Sequence, residues 1–288
     1  MLVEKKHYDV TVEGGKVPAW CPGCGNFPIL NIMKTALAEL GIPPEQVVLC
    51  SGIGQAAKTP QYMRVHYFNG LHGRALPPAI AIKNSNPSLT VIAESGDGDT
   101  YGEGGNHFLH TIRRNPNITN IVHNNMVYGL TKGQASPTSE EGMVNSLQLD
   151  GTIVEPFNPT ATAITLGATF VARVFSGDIP QAVEIIKQAI LHEGYALVDV
   201  FQPCVVFNKQ NTFQWFKQNT YYLDEQHQKG DKLEALKIAF DEEKLALGVL
   251  YQEAPKATYE NKIRHTTHPL YTQTVEKNKL KELIQSYI

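Results

Sequence analysis

Two turns that follow one another along the chain constrain its fold more than anything else. The apolar run Leu89–Ala93 feeds Gly96-Asp97-Gly98-Asp99, and the apolar run Ile118–Val122 feeds Asn124-Asn125. Between them, Asn106–Arg114 is long enough for a crossover helix, so residues 89–125 have the size of one right-handed βαβ unit. Parallel strands joined in this way end on the same edge of their sheet, and ligands of such sheets collect there. The spacing therefore brings the Asp97 carboxylate and the Asn125 side-chain carbonyl together, with the peptide carbonyl of Val127 as a third oxygen. Three oxygens leave octahedral positions for phosphate oxygens and water, which is the coordination magnesium prefers. Taken alone, Gly-Asp-Gly is more often an ordinary turn. The dinucleotide fingerprint is absent, because Gly96-x-Gly98-x-x-x-Gly102 has one residue too many, and no GxxxxGK[ST] is present.

The rest of the first two hundred residues alternates turn signals with short apolar runs and contains no repeat, which predicts an α/β domain with a mainly parallel sheet flanked by helices. Ile29, Leu30, Met33, Leu37 and Leu40 recur at helical spacing over Phe27–Leu40, with Asn26 as N-cap, Pro28 near the start and Gly41 beyond the end. Val47–Leu49 reads as a buried strand running into Ser51-Gly52-Ile53-Gly54. Residues 161–171 and 179–192 read as helices, and 196–201 as a strand ending at Gln202-Pro203-Cys204. After Val206 aromatics, Gln and Lys dominate, with a helix expected over 231–248. The expected division is a domain at 1–205 and a C-terminal extension at 206–288 that covers it or docks on a partner.

With 288 residues, 42% of them hydrophobic, the chain can bury a substantial core. The net charge of -3 lacks the basic excess that nucleic-acid binding requires. The start MLVEKKHYDV has no apolar signal region and no uninterrupted stretch of eighteen apolar residues occurs, so neither export nor a membrane is expected, and a cytoplasmic location is. In that compartment four cysteines point to metal ligation or redox chemistry rather than disulfides. Cys21-Pro-Gly-Cys24 lies directly before the first helix, whose N-terminus favours the negative charge of a thiolate centre. By spacing alone, an iron–sulfur cluster and a zinc site are comparable.

WCPGCGNFPIL, SGIGQAAKTP, GLHGRALPPAIAIK, ESGDGDTYGEGGNHF, NNMVYGLTKGQASPT and FQPCVVFN occur in this order over residues 20–208. In this they resemble the β subunits of archaeal and bacterial 2-oxoacid:ferredoxin oxidoreductases, and the GDG…NN pair resembles the motif of thiamine-diphosphate enzymes. The resemblance implies a thiamine-diphosphate-binding fold. It makes Asp97, Asn125 and the Val127 carbonyl the holders of Mg2+, and sets Ile53, Gly54, Gln55, Ala56, His72, Gly98, Asp99, Gly129 and Leu130 against the cofactor. Lys58 aligns with a lysine near the substrate carboxylate, and Lys132 lies close to the cofactor by its motif position; with His72 these are the expected catalytic residues. Cys21, Cys24 and Cys204 become ligands of a [4Fe-4S] cluster. Many relatives have cysteine where this chain has Gln55, and Cys50 is the remaining thiol expected to take over.

What the resemblance implies chemically is CoA-dependent oxidative decarboxylation of a 2-oxoacid, run in either direction, with electrons leaving through the cluster to ferredoxin. Lys58 makes 2-oxoglutarate the preferred substrate, since a dibasic oxoacid needs an additional cation. Glu94 and Glu103 flank GDGD, but neither stands where the family's cofactor-activating carboxylate would. In relatives that acid comes from a companion α subunit, so an obligate hetero-oligomer is expected. His107, His110 and His123 are expected to serve packing or solvent. The rival readings are a non-oxidative thiamine-diphosphate decarboxylase or synthase, and a zinc-stabilised nucleotide-binding module.

Overall fold

The computed structural model describes residues 2–10, 18–145, 147–241, 243–263, 268–274 and 276–287; residue 242, within the helix expected over 231–248, lies outside them. In chain order the elements are α1 (Asn26–Glu39), β1 (Val47–Ser51), β2 (His66–Asn69), α2 (Leu76–Ser85), β3 (Thr90–Gly96), α3 (Gly105–Arg114) and β4 (Ile118–Asn124). They continue with α4 (Pro159–Leu166), β5 (Phe170–Phe175), α5 (Ile179–Leu191), β6 (Tyr195–Phe201), α6 (Phe213–Asn219), β7 (Thr220–Tyr222), α7 (Lys232–Ala239) and β8 (Leu245–Gln252).

The strands form one sheet in the order β2-β1-β3-β4-β6-β5-β8-β7. β1 to β6 run parallel, β8 is antiparallel to β5, and β7 is parallel to β8. Every residue of β1, β4, β5 and β6 is buried, as strands covered on both faces must be. On one face Ile29, Met33 and Leu37 of α1 share a core with Ile185 and Ile186 of α5 and with Val47 and Leu49 of β1. On the other, Ala79 of α2, Phe108 and Ile112 of α3, Ile164 of α4 and Ala235 of α7 pack over Val48, Val91 and Val122. A smaller cluster closes the carboxyl ends of β5 and β6, where Phe201 stacks on Phe216 of α6 at 4.7 Å between centroids.

Three local expectations change. The helix expected over 161–171 stops at Leu166, because Gly167 takes a left-handed cap (φ 89°), and the apolar run beyond it becomes β5. The helix expected over 231–248 ends at Ala239; Leu245–Gln252 is β8, buried on both faces from Ala246 to Tyr251, so the C-terminal third supplies two strands to the sheet. Asn26 is the first residue of α1 rather than its cap, and its Oδ1 lies 2.8 Å from His123 Nδ1. No helix among the described residues is long and apolar enough to cross a membrane.

Candidate cofactor and cysteine site

β3 pairs in parallel with both β1 and β4, placing Gly96 beside His123, so the chain leaves three neighbouring strands at one edge. The loops that follow enclose a cavity of about 420 Å³. Ile53, Gly54, Gln55 and Ala56 come from the loop after β1, and His72 from the loop after β2. Asp97, Gly98 and Asp99 come from the turn after β3, and Asn125, Val127, Gly129 and Leu130 from the loop after β4. All twelve residues expected to touch cofactor or magnesium therefore line one cavity. Glu103, Tyr128, Thr131 and Gln134 also line it and were not anticipated. Tyr128 belongs to the NNMVYGLTKGQ segment, but nothing in a single sequence says that its ring folds back onto Gly98. Lys58 is half-buried on the 3-10 segment Ala56–Tyr62, and Lys132 is exposed with φ 79°; neither lines the cavity.

The two aspartates of the turn have different surroundings. Asp97 is buried, and its Oδ2 accepts from Ser136 Oγ at 2.5 Å and Thr138 Oγ1 at 2.7 Å. Burial pushes its carboxyl up to about 6, against the pull of those hydroxyls, so the charged form lacks compensation. Asp99 is spent on the scaffold. Its Oδ1 accepts from the backbone N–H groups of Ile53 at 3.0 Å and Gly73 at 2.8 Å, and its Oδ2 from Ser95 Oγ at 2.7 Å. Gly73 has φ 66°, and a Cβ there would stand 2.4 Å from the Glu103 carbonyl carbon and the Gly104 nitrogen. Only glycine permits that approach.

A Cβ on Gly98 would lie 2.2 Å from Tyr128 Cε1, and the Tyr128 hydroxyl donates to the Gly98 carbonyl at 3.3 Å. Burial and the Glu103 carboxylate both raise the phenol's pKa, which keeps it protonated. Asn124 ends β4 and shares the Thr138 hydroxyl with Asp97, its Oδ1 lying 2.8 Å from Thr138 Oγ1, while its Nδ2 donates to Asp199 Oδ1 at 3.1 Å. Asn125 bends its own loop instead, with Oδ1 accepting from the Val127 N–H at 3.0 Å and Nδ2 donating to Gln202 Oε1 at 3.2 Å. That oxygen keeps a second lone pair.

Three thiols sit on two loops tied by a hydrogen bond from the Gly25 N–H to the Pro203 carbonyl. Gln202 Nε2 approaches Cys24 Sγ at 3.6 Å, and the Phe207 N–H donates to Cys204 Sγ at 3.4 Å. Burial foremost, then the neighbouring Cys204 and Cys21, pushes the Cys24 thiol up to about 11. Cys50 is elsewhere. It is wholly buried in β1 among Val48, Ala79 and Ala93, on the face covered by α2, whereas Cys24 packs against the α1 face. Burial alone pushes its thiol up to about 12. The expectation that Cys50 joins the other three fails because strand alternation turns it to the opposite side of the sheet. Among the described residues, no three His, Cys, Asp or Glu side chains are gathered closely enough to hold a metal ion as they stand.

His123 is buried, its Nε2 2.9 Å from Glu94 Oε1, which places Glu94 in the core; of the two acids flanking the turn, Glu103 reaches the cavity. His107 and His110 lie on α3, away from it.

Residues 50–200 match the family model for "Thiamine pyrophosphate enzyme, C-terminal TPP binding domain", and residues 204–268 match that for the C-terminal region of the pyruvate ferredoxin oxidoreductase β chain. A 2-oxoacid:ferredoxin oxidoreductase subunit beta from Saccharolobus solfataricus is 44% identical over 258 residues, 85% of each chain. The 2-oxoglutarate oxidoreductase subunit KorB of Mycobacterium tuberculosis is 43% identical over 189 residues, 66% of this chain and 51% of that protein. A solved structure superposes with a TM-score of 0.90 at 35% identity, covering 97% of this chain and 95% of the other. It is a 2-oxoglutarate:ferredoxin oxidoreductase from Magnetococcus marinus with 2-oxoglutarate, coenzyme A and succinyl-CoA bound.

Proposed function

Since the chain belongs to the β subunits of the 2-oxoacid:ferredoxin oxidoreductases, we propose that its cavity holds thiamine diphosphate through Mg2+ and that its complex acts on 2-oxoglutarate. The carrying observation is the convergence of the loops after β1, β2, β3 and β4 on one cavity, with a desolvated carboxylate at its floor. The donors suit the ion: Asp97 supplies the carboxylate, Asn125 the side-chain oxygen and Val127 the peptide oxygen, and a divalent cation would return Asp97 to its charged form. Gly98 offers bare backbone to a diphosphate. When bound, the cofactor supplies an electron sink for decarboxylation.

The chain's own contribution is placement. Asp99 fixes the loops bearing Ile53 and His72, Tyr128 walls the cavity beside Gly98, and His72 brings an imidazole to its rim. Lys58 and Lys132 stand outside the lining and serve as cations for an approaching dicarboxylate. Cys21, Cys24 and Cys204 are the ligands this chain offers an iron–sulfur cluster, with electrons delivered to ferredoxin, and coenzyme A as acyl acceptor. The C-terminal extension, 206–288, serves to cover the domain or to dock on the companion, the site is completed by a companion α subunit, and the complex is cytoplasmic. Support for 2-oxoglutarate comes from the ligands of the Magnetococcus marinus structure.

The test is co-purification with the companion α subunit under nitrogen, followed by a panel of 2-oxoacids with coenzyme A and an electron acceptor. Turnover with 2-oxoglutarate above pyruvate, and none from the single chain, is the expected result; turnover by the isolated chain overturns the hetero-oligomer.

A further inference from the structure

The oxygens assigned to the cation come from the ends of two different strands, and a single turn touches both. Ser136, Thr138 and Ser139 are buried, and none of them lines the cavity. Asp97 Oδ2 accepts from Ser136 Oγ and Thr138 Oγ1, which leaves Oδ1 as the oxygen these hydroxyls do not occupy. Thr138 Oγ1 also lies 2.8 Å from Asn124 Oδ1, so one hydroxyl stands between the turn after β3 and the end of β4. Behind it, the Asn124 amide donates to Asp199, which pairs with Arg173 at 3.4 Å. Ser139 Oγ accepts the Ser136 N–H at 2.8 Å and donates to the Met126 carbonyl at 2.6 Å.

Met126 needs that hold. It is the middle residue of Asn125-Met126-Val127 and has φ 56°, a left-handed backbone that a Cβ disfavours. The carbonyls along this segment are also used in a telling order. Those of Asn124, Asn125, Met126 and Tyr128 accept from the Gln202 N–H, Asn208 Nδ2, Ser139 Oγ and the Gly133 N–H. Among the described residues the Val127 carbonyl between them accepts no hydrogen bond, although Val127 is buried. Its neighbours are taken, and the one oxygen suited to a cation is left open.

We propose that Ser136-Pro137-Thr138-Ser139 is a positioning turn that presets the magnesium site, fixing Asp97 through Ser136 and Thr138 and the Asn125–Val127 segment through Ser139. The proposal rests on the Mg2+ and thiamine diphosphate reading of the cavity. The turn is itself anchored from behind, where the Phe157 N–H donates to the Pro137 carbonyl at 2.7 Å. Mg2+ demands near-octahedral geometry, whereas Ca2+ accepts looser and larger sets of oxygens. A preset arrangement therefore favours Mg2+, and loosening it costs Mg2+ more than Ca2+.

The test uses the complete complex, produced with its companion α subunit, freed of metal by dialysis against a chelator and titrated calorimetrically with Mg2+ or Ca2+ at saturating thiamine diphosphate. Thr138→Val keeps the shape and removes the hydroxyl. Its Mg2+ affinity is expected to fall roughly 10-fold or more, as on loss of other groups that orient metal ligands, with a smaller loss for Ca2+. Thr138→Ser keeps the hydroxyl and is expected to retain the parent's Mg2+ affinity and its preference for Mg2+ over Ca2+. Ser136→Ala, which leaves Asp97 Oδ2 with Thr138 alone, is the second variant and shifts that preference in the same direction as Thr138→Val. Mg2+ affinity unchanged in both Thr138→Val and Ser136→Ala, equal losses for the two cations, or a Thr138→Ser complex as weak as Thr138→Val would each overturn the positioning role. A parent complex that takes up no Mg2+ with thiamine diphosphate would instead refute the cofactor site itself.

Discussion

Asp99 Oδ1 accepts the backbone N–H of Gly73 at 2.8 Å, across a gap of 26 residues, and so ties the loop after β2 to the turn after β3. With its second bond, to the Ile53 N–H, one carboxylate holds two of the loops that enclose the cavity. Replacing it with alanine strands two backbone donors and the Ser95 hydroxyl, at about 1–3 kcal/mol for each donor left buried. Asp99→Ala is therefore expected to lower the thermal midpoint and cofactor affinity together, as read by calorimetry and by titration with thiamine diphosphate and Mg2+. An unchanged midpoint would remove the anchoring role.

Asp97→Asn separates the two aspartates. Its buried charge has hydroxyl partners but a raised pKa, so the neutral amide suits the empty pocket while offering a poorer ligand to the ion. Cofactor binding is expected to weaken roughly 100-fold or more, about 2.7 kcal/mol. The midpoint of the cofactor-free protein should stay equal or rise. Retained affinity in a Mg2+ titration would exclude Asp97 as the metal's carboxylate.

Gly98 and Tyr128 should behave as a coupled pair, because a methyl group on Gly98 must displace the ring 2.2 Å away. Gly98→Ala is expected to destabilise by about 1–3 kcal/mol through overpacking. Tyr128→Ala in the same chain should recover much of that loss, giving a coupling energy of about 1 kcal/mol or more in a double-mutant cycle. Additive effects would mean that the ring moves freely.

His192 is buried with Nε2 2.8 Å from Thr169 Oγ1, and burial lowers its pKa below 6.5. As pH falls past 6.5 the unfolded chain takes up this proton before the folded chain does, so stability drops from 6.5 down to the folded value and is unaffected above it. Asp97 acts in the opposite sense, its raised pKa making stability fall as pH rises through the range from about 4 to 6. The difference between His192→Gln and the parent isolates the histidine: denaturation midpoints should diverge below pH 6.5 and run parallel above it.

The sheet edge was legible because two apolar runs each ended in a turn whose residues could do little else. Strand alternation and crossover length then fixed which side chains meet. The cap at Gly167 and the strand at 245–252 were not legible, since an apolar run reads alike in a buried helix and a buried strand until its neighbours are known. Cys50 failed for a related reason: proximity in sequence to Gln55 says nothing about which face of β1 a side chain takes. Tyr128 and Gln134 reach the cavity through the return of a loop onto the turn at 96–99, a long-range event with no local signature, whereas Glu103 ends the helical segment Gly98–Glu103 that continues from that turn.

Trp20 is buried edge-on to Phe27 and Tyr62, with ring centroids at 5.3 and 4.9 Å, and its indole N–H is fixed on the Gln55 carbonyl. The chain has two tryptophans, and the other, Trp215, lies on α6 beside Phe216. The protein thus contains its own optical gauge. Emission from one indole follows whatever occupies the space beside Cys21 and Gln55, while the second provides an internal standard in the same spectrum.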